Sequence, residues 1–104
     1  MKKVFLARAR VNDALALCGA QEALSRFKKD PAGVLEELTK FWAKPQAVTH
    51  IERHGEAILN HLDLAHDDVP PEVIEVVSHV AELTQGINRN FSDSLRAKVL
   101  AKAS

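Results

Sequence analysis

The chain has 104 residues, 46% of them hydrophobic and 27% charged, with 14 basic side chains balancing 14 acidic ones. That length holds one hydrophobic core, so a single domain over residues 1–104 is expected, and the composition excludes a disordered or collagen-like chain. Arg8 and Arg10 interrupt the opening MKKVFLARAR before a signal-peptide core or membrane span is complete, and Cys18 has no second cysteine to pair with; a soluble cytoplasmic protein without cofactor or membrane contact is expected.

Alanine, leucine, glutamate and lysine dominate and tyrosine is absent, which favours helix along the whole chain. The first segment is ambiguous. Residues 4–11 (VFLARARV) alternate as a strand would, yet a lone strand needs another chain to pair with, so helix is the preferred reading. Asn12 and Asp13 can also cap a helix that starts at 13 and continues through Leu15, Cys18, Leu24 and Phe27. A helix unbroken from 2 to 28 would be about 40 Å long, more than a domain of this size covers alone, and that length predicts a homodimer.

Asp30 followed by Pro31 is an N-cap and first-turn signal, and a helix is expected over 31–43. Val48, Ile51, Ile58, Leu59, Leu62 and Ala65 recur at helical spacing and define the next helix over 45–65. In HDDVPPEVIEVV, two aspartates before two prolines start a helix near Pro70 or Pro71, with Val73, Val76, Val77, Val80, Leu83 and Ile87 as its apolar stripe and an end between 85 and 90 near Gly86. Ser92 fits the N-cap of a last helix through about 102, with Leu95, Val99 and Leu100 facing inward. These elements predict an all-α compact bundle of four to five helices, in which the helices on either side of residues 66–69 form a central antiparallel hairpin.

Three histidines lie within THIERHGEAILNH. On a helix His50, His54 and His61 share one flank, but His61 sits about 10 Å along the axis from His54, so one metal ion could use only His50 and His54. The spacing is not that of HExxH, because Ile51 follows His50 and the glutamate stands one place later. The competing reading is a ring flank between core and solvent, with His61 and His66 near a helix C-terminus.

Charge is segregated: seven basic against two acidic residues over 1–29, three against eleven over 30–88, and four against one over 89–104. Internal complementarity between basic ends and an acidic middle is the first explanation, and Glu36 and Glu37 followed by Lys40 read as helix-supporting pairs. A nucleic-acid surface is the alternative, carried by Lys2, Lys3, Arg8, Arg10, Lys28 and Lys29, with Arg26, Arg89, Arg96, Lys98 and Lys102 as further candidates. A helix-turn-helix around Pro45 fits poorly, since its reading helix would run on without a break in acidic surroundings. Trp42 is either a core filler or an anchor for a partner. With no phosphate loop, nucleophile elbow or paired cysteines, the expected function is a non-enzymatic protein-interaction or regulatory module, its interaction residues Arg8, Arg10 and Trp42. Nucleic-acid binding and metal binding by His50 and His54 are the alternatives.

Overall fold

The structure, a computed structural model, describes the backbone of residues 2–20, 22–65 and 69–103 and the side chains within them from residue 9 to 102. It contains six helices: α1 (Lys2–Leu17), α2 (Ala23–Arg26), α3 (Pro31–Trp42), α4 (Ala47–His61), α5 (Pro71–Thr84) and α6 (Arg89–Ala103). No strand occurs among the described residues, and residues 4–11 are helical. No helix among them is long and apolar enough to cross a membrane.

The unbroken helix from 2 to 28, on which the expected homodimer depended, does not form. Gly19 adopts φ +99°, the left-handed conformation that glycine takes without steric cost. The Ala20 N–H donates to Leu15 O at 3.1 Å and the Gly19 N–H to Ala16 O at 3.0 Å, which together form a Schellman C-cap with Ala20 and Leu15 both fully buried beside it. A Cβ at position 19 would come within 2.4 Å of Phe41 Cγ, so α3 as well as the turn requires glycine there. Glu22, at φ 55°, then turns the chain into the single turn of α2. With α1 ending at Leu17, its length gives no reason of its own for a second subunit.

The Asp30 carboxylate accepts from the Gly33 N–H at 3.0 Å and Pro31 opens α3, as the Asp-Pro signal predicts. Val34, Leu38 and Trp42, spaced by one turn, are its buried face. Along α4 the buried positions are Ala47, Ile51, Gly55 and Ile58, and along α5 they are Val73, Val76, Val77, Val80, Ala81 and Thr84. The N-cap of α6 is Asn88 and not Ser92: Asn88 Oδ1 accepts from the Phe91 N–H at 3.1 Å, while the fully buried Ser92 Oγ–H donates to Ala81 O at 2.6 Å.

That hydroxyl bond lies inside the closest helix pair of the fold. Helices α5 and α6 fold back on each other through residues 85–88, whereas α4 packs on α1 and α6 and α3 packs on α5. The expected hairpin of α4 with α5 is therefore displaced by one element. The α4–α5 connection explains why: Leu62, Leu64 and Val69 are themselves buried, so the chain leaves α4 through the core instead of turning tightly back, and residues 66–68 lie outside the described set. Each large apolar side chain taken out of water here stabilises the fold by about 1.5–3 kcal/mol. A radius of gyration of 12.6 Å matches the roughly 13 Å of a compact 100-residue domain.

Candidate functional site

The four last carbonyls of α1 have no partner within their own helix, so each must be satisfied elsewhere. Ala14 O, Leu15 O and Ala16 O accept from the Cys18, Ala20 and Gly19 N–H groups. The fourth, Leu17 O, pairs with His50 Nε2 of α4. A carbonyl can only accept, so Nε2 carries the proton and donates, which leaves Nδ1 as the remaining ring nitrogen. His50 is further held by edge contacts with Phe41 and Trp42, at centroid distances of 4.9 and 5.9 Å, and its ring stands 4.8 Å from that of His54.

Beside this imidazole pair runs an open groove of about 260 Å³ lined by Gln46, Thr49, His50, Arg53 and His54. These positions follow the i, i+3, i+4, i+7, i+8 pattern of one helix flank. No carboxylate lines it, although Glu52 and Glu56 belong to the same helix. Of the lining residues, histidine spacing alone singles out His50 and His54; the polar stripe that adds Gln46, Thr49 and Arg53 is visible once α4 is read as a wheel.

The remaining histidines stand apart. Thr39 Oγ donates to Leu35 O at 2.9 Å, so its oxygen accepts from His79 Nε2–H at 3.0 Å, which ties α3 to α5. His61 is half-buried at the end of α4, and His66 lies outside the described residues. No group of three or more metal-ligating side chains occurs among the described residues, so His50 and His54 gain no third ligand from them. Cys18 is buried, and burial pushes its thiol up to about 12, which keeps it protonated at neutral pH.

Trp42 is a core residue at 3% exposure, packed on Phe41, His50 and Phe91, so in the folded chain its ring is not available to a partner. Its indole Nε1 is buried with no hydrogen-bond partner among the described residues. Arg10 is half-buried, and the side chains of Lys2, Lys3 and Arg8 lie outside the described residues. The basic candidates are dispersed: Arg26 pairs with Glu37 at 2.8 Å, Lys28 and Lys29 are exposed before α3, and α1 and α6 do not form a closely packed pair. Charge pairing is visible in Arg26–Glu37 and in Lys40–Glu36 at 3.2 Å, while basic α6 packs against α5 with Arg96 donating to the neutral Gln85 Oε1 at 3.0 Å.

A second groove of about 250 Å³ lies between α5 and α6, lined by Ser78, Glu82, Arg96, Val99 and Leu100. The side chain of Leu100, expected to face inward, is 67% exposed there. No family model matches the sequence, and neither a curated protein nor a solved structure is significantly similar to it.

Proposed function

We propose that the chain is a non-enzymatic protein-interaction module of regulatory type and that its first partner is a second copy of itself. The observation that carries this reading is the α5–α6 groove, in which an exposed leucine stands beside an apolar hollow flanked by charges of opposite sign. A twofold axis would place Leu100 of each copy in the hollow of the other, and Glu82 of one copy opposite Arg96 of the next. On this reading the surface pairs with itself. Burial of two leucines contributes about 3–6 kcal/mol, no more than the cost of association, so the charge contacts and the rest of the buried surface must supply the remainder and the dimer is weak and reversible.

Light scattering on the full chain should give twice the 11.5 kDa monomer mass at high concentration, and Leu100→Glu should return the monomer without loss of helix signal. A monomer at every concentration tested would remove self-pairing as the function. Nucleic-acid binding remains the alternative proposal, resting on the basic terminal segments, and predicts salt-sensitive retention of DNA or RNA. The metal proposal at His50 and His54 is weaker still, because Arg53 lines the same groove and opposes a bound cation.

A further inference from the structure

The α4 groove presents hydrogen-bond donors without a single carboxylate, and we propose that it binds a small phosphate-bearing molecule. Arg53 supplies a planar guanidinium that can engage two oxygens of one phosphate. Gln46 contributes an amide N–H, Thr49 a hydroxyl and His54 a ring N–H, while His50, whose Nε2–H is taken by Leu17 O, offers Nδ1 as an acceptor for a phosphate hydroxyl. All five are side chains spread over two turns of the helix flank.

Two further observations distinguish this flank from an ordinary solvated face. Arg53 forms no ion pair among the described residues, although Glu52 and Glu56 are within reach in sequence; its charge is left facing the groove. His50 is fixed in advance by its bond to Leu17 O and by its contacts with Phe41 and Trp42, so little side-chain freedom is lost when a ligand meets it. Arg53 disfavours a metal, since a cation would sit beside its guanidinium, whereas an anion gains from Arg53 and from the N–H and O–H groups of Gln46, Thr49 and His54. The groove, about 260 Å³ and open to solvent, admits a small phosphate-bearing molecule. A nucleic-acid backbone needs a row of phosphate contacts, and only one arginine is present here. This inference stands apart from self-pairing, which uses a different face.

The test is a titration of the isotopically labelled full chain with inorganic phosphate, followed by amide and arginine side-chain NMR at constant ionic strength against chloride. Saturable shifts confined to residues 46–54 are expected, with Arg53→Ala weakening binding by about tenfold or more and Arg53→Lys by less, since lysine keeps the charge and loses the fork. The spectra themselves report whether each variant is folded. Absence of saturable shifts, or shifts unchanged in Arg53→Ala, overturns the proposal. Zinc chloride saturating the histidine signals where phosphate does not would replace the anion by a metal, and a DNA duplex binding these residues more tightly than phosphate would replace the small ligand by nucleic acid.

Discussion

Cys18 shows how a single position reads differently once its surroundings are known. In sequence it is only a cysteine with no second one to pair with, and the structure buries it, which raises its pKa from 9.0 to about 12. Because the folded state holds the proton more tightly than the unfolded state, the contribution of this group is fully present below pH 9.0 and is lost as pH rises toward about 12. At pH 8 iodoacetamide should label the folded protein far more slowly than the protein in concentrated urea; equal rates would contradict the burial. Trp42 was undecided in sequence between core and partner anchor, since Phe41 and Trp42 are neighbours on a helix and point about 100° apart. The decision belongs to α4 and α6, which bring His50 and Phe91 onto its ring, and no local pattern encodes that meeting.

Among the elements, α3 and α5 were legible because each carries a proline start signal and an apolar stripe, whereas α4, expected over 45–65 from apolar spacing alone, runs only from Ala47 to His61 and leaves Val48 of the expected stripe exposed. The end of α1 was not legible. A lone glycine inside an apolar helical pattern is often tolerated, and only the approach of Phe41 from α3 shows that Gly19 must turn left-handed. Ser92 misled for a related reason: serine suits an N-cap, but here its hydroxyl satisfies a carbonyl on the neighbouring α5 and the cap falls to Asn88. Of the candidate groove, the histidine spacing was legible from sequence, while the task of His50 was not, because its partner lies 33 residues away at the end of α1. The bond makes an element-level prediction. His50→Ala removes the donor for Leu17 O and the ring packed on Phe41 and Trp42, and should cost about 2 kcal/mol in urea unfolding, against less than about 1 kcal/mol for His54→Ala. Equal losses would mean that the tie between α1 and α4 carries no weight.

For the molecule as a whole, neutral net charge conceals a basic–acidic–basic order along the chain, and the fold lays basic α6 against α5 while linking Arg26 to Glu37. The proposed dimer would continue that pairing across a twofold axis, so added salt should weaken its Glu82–Arg96 contacts while leaving the contribution of Leu100 in place. The proposed dimer rests on the α5–α6 groove and not on the length of α1, which ends at Leu17. The ring of Trp42 has a further bearing on how such a chain assembles. It touches Phe41 in its own helix, His50 on α4 and Phe91 on α6, so its environment is complete only after the last helix has docked. The sole indole of the protein therefore reports on the docking of α6 from a helix more than forty residues away: removing residues 89–104 should shift its emission toward that of a solvated ring, and an unchanged emission would contradict the Phe91 contact.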